Sequence, residues 1–159
     1  MKRALLKVTL AAAVVAAGAV TGASARSGPR ARPAKATPFK VTLHVTSEIV
    51  VHDGRVSTAT SKASTGDSLI LVATLSQGGK TTGREDDYCA VTAPGIGVCT
   101  SVDRFAHGAI VHTGAYPLSG STFVDAITGG TGSYTGARGT VLAVFRTAST
   151  AIQTYQIGP

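Results

Sequence analysis

The groups in this 159-residue chain best suited to chemistry are acids, a histidine and a tyrosine that recur at even spacings: Asp87, Asp103, His112, Tyr116 and Asp125. A two-residue turn at His107-Gly108 would set Asp103 opposite His112 across two strands. A second turn at Ser119-Gly120 would set Tyr116 opposite Phe123 and Gly114 opposite Asp125, and the preceding hairpin would bring Asp87 opposite Ser101. Side chains two apart share a face of a sheet, so all five would lie together, on the same face as Cys89 and Cys99. Inside a low-dielectric cavity, that set is acid/base machinery. Asp103 and His112 would be the catalytic pair, Tyr116 would donate a hydrogen bond to the ligand, and Asp87 and Asp125 would be further cavity groups. The opposite face carries Ala90, Val102, Val111, Ala115 and Val124, and it is expected to be the interior because buried carboxylates are costly. Which face lines the inside therefore decides whether these residues do chemistry.

Other chemistries lack their motifs. The chain has no Gly-x-Ser-x-Gly elbow, no Ser-x-x-Lys and no His-Glu-x-x-His. His44, His52, His107 and His112 are spaced too irregularly for a zinc motif, so no metal and no other cofactor is expected. The glycine run Gly129-Gly-Thr-Gly132 precedes β-forming residues where a dinucleotide fingerprint needs a helix, and no Gly-Lys-Ser/Thr follows it. Cys89 and Cys99 are the only two cysteines. A hairpin with Pro94-Gly95 in its turn puts them directly opposite each other, and a disulfide is the expected state for such a pair outside the cell.

The formal charge of +7 does not describe the body of the chain. Residues 1–38 hold seven Lys or Arg and no acid, whereas Lys40 onward holds eight basic and eight acidic residues. The basic excess sits on two segments that are expected to lie apart from the domain. Lys2, Arg3 and Lys7, an apolar run from Leu10 to Val20, and Ala23-Ser24-Ala25 have the order of a secretory signal peptide over 1–25. The run is too short for a membrane anchor. Residues 26–38 alternate proline, small and basic residues, the composition of a disordered linker. Nucleic acid is accordingly not an expected partner, stable membrane insertion is not expected, and the expected location is secreted.

From Phe39 onward no 3.6-residue stripe survives. Apolar residues alternate instead, in short runs closed by turn residues, which predicts an all-β domain over 39–159. Phe39, Val41, Leu43 and Val45 alternate with Lys40, Thr42, His44 and Thr46. Leu69–Leu75 closes on Gln77-Gly-Gly-Lys80, the cysteine hairpin follows, and strands near 109–116, 122–128, 139–147 and 150–157 complete about eight. Gly54 to Gly66 is the least patterned stretch. The strands at 69–75 and 141–145 are apolar on both faces, so one face needs cover from a loop, a helix or a second subunit.

The run Gly129-Gly-Thr-Gly-Ser-Tyr-Thr-Gly-Ala-Arg-Gly139 resembles a signature shared by plant dirigent proteins and allene oxide cyclases. Asp67 to Lys80 is similar to the second strand and Gly-Lys turn of that superfamily, and Gly83-Arg84 through Tyr88-Cys89 is similar to the start of its next strand. The resemblance spans most of 67–145 in the family's order. It implies an eight-stranded antiparallel β-barrel with a hydrophobic interior cavity, a small apolar or aromatic molecule as partner, and a homo-oligomer, often a trimer. It also places Cys89 near the cavity, against the face assignment made from polarity alone. Dirigent proteins bind phenoxy radicals and direct their coupling. Allene oxide cyclases use a carboxylate and an asparagine-held water; this chain has Glu48 near the end of its first strand but no asparagine. The implied functions are a binding or steering module, an isomerase or cyclase, or an envelope protein whose barrel is filled.

Overall fold

A computed structural model describes residues 38–58 and 63–158. The segments expected to be a signal peptide, 1–25, and a linker, 26–38, lie outside the described residues apart from Pro38. The described chain is β throughout, save for one short 3-10 turn. Its strands are β1 (Phe39–His52), β2 (Arg55–Ser57), β3 (Ser68–Gln77), β4 (Lys80–Ala93), β5 (Ile96–Phe105), β6 (Gly108–Pro117), β7 (Thr122–Gly130), β8 (Arg138–Thr147) and β9 (Thr150–Gly158). The spatial order is β2-β1-β3-β4-β5-β6-β7-β8-β9, all antiparallel, and β9 pairs back onto β1. Eight strands close a barrel, and β2 lies outside the ring as a short addition to the end of β1. Closure leaves the eight-stranded ring with no free edge among the strands that carry the site. No described helix is long and apolar enough to cross a membrane.

Alternation sorts each strand into an inner and an outer set. Val41 and Leu43 of β1, Leu69, Ala73 and Leu75 of β3, Ile110 of β6, Ile127 of β7, Val141 of β8, and Ala151 and Tyr155 of β9 point inward and are buried. Most of them form one cluster in the half of the barrel that holds the β3–β4 and β5–β6 turns. Phe39 stacks on Tyr155 with ring centres 4.5 Å apart, and Phe105 meets Phe39, Tyr155 and Tyr134 within 6.0 Å, so aromatic rings fill that end.

The glycine run builds the cover of this filled end. Gly132–Tyr134 is a 3-10 turn between β7 and β8, and it lays Tyr134 against Phe105. Gly139 has φ +133°, and a Cβ there would run into the Gln156 carbonyl of β9. Only glycine allows β8 to start so close to its neighbour. The motif that carried the family resemblance therefore shapes the floor of the barrel, and none of its residues lines the cavity.

Three expectations are corrected. The β5–β6 corner is Ala106-His107, with Phe105 paired to Gly108, so His112 sits opposite Ser101 and Asp103 opposite Ile110. The register moves by two residues, which preserves every side chain's face. The β6–β7 corner is also longer than the expected Ser119-Gly120 pair, running from Leu118 to Ser121. The larger correction concerns the faces. Ala90, Val102, Val111, Ala115 and Val124 lie on the outside, with Val124 61% exposed, and the polar set lies inside. Small outer residues made that face look like a core; closure of the barrel gives the inner positions to the larger and more polar side chains.

Candidate functional site

The other half of the barrel is hollow. A cavity of about 520 Å³ opens at the end bearing the β6–β7 and β8–β9 corners. Leu43, Val45, Leu69 and Leu71 form one side, and Tyr116, Phe123 and Phe145 the other. Deeper in, the lining turns polar, with Glu85, Asp87, Ser101, His112, Asp125 and Gln153. Cys89 also lines it, as the resemblance implied.

Strand pairing assembles this polar layer. Glu85 and Asp87 alternate on β4, Ser101 and Asp103 on β5, His112 and Tyr116 on β6, Asp125 on β7, and Gln153 and Tyr155 on β9. Asp87 pairs with Ser101, and Ser101 with His112. His112 spans two carboxyl groups: its Nδ1 lies 2.7 Å from Asp125 and its Nε2 2.9 Å from Asp103. Gly114, two residues on, has no side chain to occupy the space that the Asp125 carboxyl fills. Asp103 is fully buried behind His112 and also lies 2.8 Å from the Tyr155 hydroxyl. Glu85 accepts a hydrogen bond from the Gln153 amide at 2.5 Å. Ser101 donates to one Asp87 oxygen at 3.0 Å. The other Asp87 oxygen lies 3.6 Å from the Cys89 sulfur, which carries no proton because Cys89 and Cys99 are joined.

Burial sets the protonation states. Burial alone would lower the His112 pKa, but its hydrogen bonds to Asp103 and Asp125 and the charges around it outweigh this and raise it to about 10. The ring is therefore an imidazolium that donates from both nitrogens. Burial raises Glu85 well above the carboxylate range, with the charge of Asp103 adding to it, so Glu85 is held neutral. Burial pushes Asp87 up to about 6, although the Ser101 hydroxyl opposes the shift. Burial and nearby carboxyls also raise Tyr116, which stays a phenol.

The sequence brought five residues together as one set, and the fold keeps all five on one face and inside. It divides them by depth: Asp87, His112, Tyr116 and Asp125 line the cavity, while Asp103 sits behind His112. Glu85, Gln153 and Tyr155 were not foreseen. The alternation Glu85-x-Asp87-x-Cys89 would have pointed to Glu85; the β9 pair had no signal, because Ala151–Tyr155 shows no contrast between its two faces.

Two sets of metal-type donors occur among the described residues, Glu85/Asp103/His112 and Asp87/Cys89/Cys99, each within 4.8 Å. In the first, both His112 nitrogens are taken by carboxyls; in the second, the sulfurs are bonded to each other at 2.00 Å. The His112 nitrogens and the two sulfurs are thus engaged within the protein, whereas Asp103 Oδ1 is buried without a hydrogen-bond partner.

This eight-stranded antiparallel barrel has the fold seen in solved dirigent proteins and in pyocyanin demethylase. Among solved structures, pyocyanin demethylase matches with a TM-score of 0.66 at 20% identity, over 77% of this chain and 100% of that one. Two pterocarpan synthase dirigent proteins match with TM-scores of 0.58 and 0.59 at 19% and 18% identity, over 76% of this chain and 84% and 92% of theirs. No protein-family model and no curated protein matches the chain.

Proposed function

We propose that this is a secreted barrel that takes a small apolar or aromatic molecule into its open cavity and exchanges a proton with it, chemistry of the isomerase or cyclase kind. The observation that carries this reading is Asp87. It is 9% exposed, lines the cavity, titrates near 6, and has one oxygen with no N–H or O–H donor directed at it among the described residues. A carboxyl with that pKa releases and recovers a proton close to neutral pH, which is where a general acid/base works best. His112 is less suited to exchange, since both nitrogens are engaged and its proton is held to about pH 10. Its role in this reading is to position Asp125 and Asp103 and to supply fixed positive charge. Tyr116 is the neutral phenol that donates to the ligand. The named activities of the structural neighbours, a demethylase and pterocarpan synthases, support small-molecule chemistry in such a barrel.

The protein is further proposed to assemble as a homo-oligomer, a trimer by resemblance. The apolar outer positions Ile70, Val98 and Val124 and the half-exposed Tyr88 support this.

The test of the chemistry has two steps. Native mass spectrometry of the secreted protein identifies the molecule that copurifies. That molecule is then incubated with the protein in deuterated water. Incorporation at a carbon position, slowed 100-fold or more in Asp87→Asn, is the expected result. Tight binding with no incorporation by the unaltered protein would reduce the barrel to a carrier or steering module.

A further inference from the structure

We infer that the cavity's ligand is a planar aromatic cation, with its charge on Asp87 and its ring against Tyr116, Phe123 and Phe145. The inference rests on the reading above that the hollow end is the ligand site, and it names the class of molecule.

The first support is charge. Four carboxyl groups, Glu85, Asp87, Asp103 and Asp125, surround a single histidine in the polar layer. With Glu85 neutral, three carboxyl groups remain against one imidazolium. Asp103 and Asp125 share His112 through one oxygen each, while Asp87, which lines the cavity, has only the Ser101 hydroxyl as donor and no basic side chain within hydrogen-bond distance among the described residues. The neighbouring strand β3 contributes only Leu69 and Leu71 to that corner, opposite Cys89 and Asp87. The charged or titratable groups facing Asp87 are Glu85 on its own strand, Asp103 on β5, His112 and Tyr116 on β6, and Asp125 on β7. Glu48 of β1, half-buried, and Arg146 of β8, exposed, are the other charged residues in the lining.

The second support is the free acceptor. Asp87 Oδ2 receives no hydrogen from the described residues, yet Asp87 is nine-tenths buried. A neutral apolar ligand would dry the cavity and leave that oxygen unpaired, which costs about 1–3 kcal/mol or more for a charged group. An anion would meet Asp87 and Asp125 directly. A cation satisfies the oxygen and offsets part of the layer's negative charge.

The third support is the aromatic wall. Tyr116 and Phe123 lie 4.3 Å apart, and Phe123 meets Phe145 edge-on at 5.5 Å, making a corner of π-faces beside the acid layer. Such faces attract cations as well as rings. The aliphatic wall opposite accepts a flat, uncharged surface.

Three probes of one shape separate the possibilities: N-methylquinolinium, 1-methylnaphthalene and 1-naphthoate. The protein has no tryptophan, so probe fluorescence reads binding without that background. At pH 7.5 the cation is expected to bind at least tenfold more tightly than the neutral probe, with the anion weakest. That preference should collapse at pH 5, where Asp87 is protonated, and in Asp87→Asn at pH 7.5; should this variant fail to fold, the pH comparison alone decides. Equal or tighter binding of 1-methylnaphthalene at pH 7.5 overturns the cationic class and leaves the cavity reading standing. So does a cation preference untouched by both pH 5 and Asp87→Asn, because the charge would then be read elsewhere. Failure of all three probes to bind overturns the cavity reading itself, and the cationic class with it.

Discussion

His112 holds two carboxyls apart and together at once. Replacing it by alanine leaves Asp103, fully buried, and Asp125 facing each other without their common donor. Breaking a buried pair in this way costs about 3–5 kcal/mol. Urea denaturation of His112→Ala should show that loss, whereas Tyr116→Phe should leave stability within about 1 kcal/mol and weaken only ligand binding. This separates holding from touching. The sequence carried the identities of these residues but not their depth. Even spacing put Asp87, Asp103, His112, Tyr116 and Asp125 on one face; which face turned inward depended on closure of a ring whose partners are far apart in the chain. Cost arguments about buried carboxylates pointed outward because they treated each acid alone. In the barrel each acid of the layer has at least one hydrogen-bond partner, which offsets part of that cost, although Asp103 and Asp125 each keep one buried oxygen without a partner.

Among the elements, the β4–β5 hairpin carries the most. It supplies Glu85, Asp87, Ser101 and Asp103 and is closed by the Cys89–Cys99 disulfide, whose residues are directly paired. Replacing both cysteines by alanine should cost about 2–4 kcal/mol in chemical denaturation, and thiol titration of the native protein should find no free thiol. This hairpin was legible beforehand, since Pro94-Gly95 and the two cysteines fix its register independently. The β5–β6 hairpin was not. Its corner takes Ala106-His107, residues without a strong turn preference, and Gly108 opens β6 with φ +146° beside the Thr131 carbonyl. A contact across to the β7–β8 turn set that corner, and local turn chemistry does not report such contacts. The strand pattern itself was plain from alternation, apart from β2, whose three exposed residues have no inner face to mark them.

For the molecule as a whole, the buried groups set an unusual dependence on pH. The folded Asp87 keeps its proton to about pH 6, above its ordinary 3.8, so the unfolded chain releases that proton first and stability falls as pH rises between those values. The loss is of the order of 3 kcal/mol. His112 is protonated to about pH 10 when folded and to 6.5 when unfolded. Its contribution is complete below 6.5 and disappears as pH rises through 10. Both slopes share a sign, so urea midpoints should decline from pH 4.5 to 7.5 and again to 9.5; a maximum at pH 8 would contradict these assignments. The barrel's form has a further consequence. The aromatic cluster and the turn at Gly132–Tyr134 close one end, and no residue lining the cavity also lines the depression beneath that floor. Among the described residues the hollow is a cup with a single mouth. Whatever enters must leave by the way it came, so a spent molecule blocks its successor until it departs. If the proposed exchange takes place there, each product must be released through that mouth before the next molecule enters, and long polymers have no path through the described barrel.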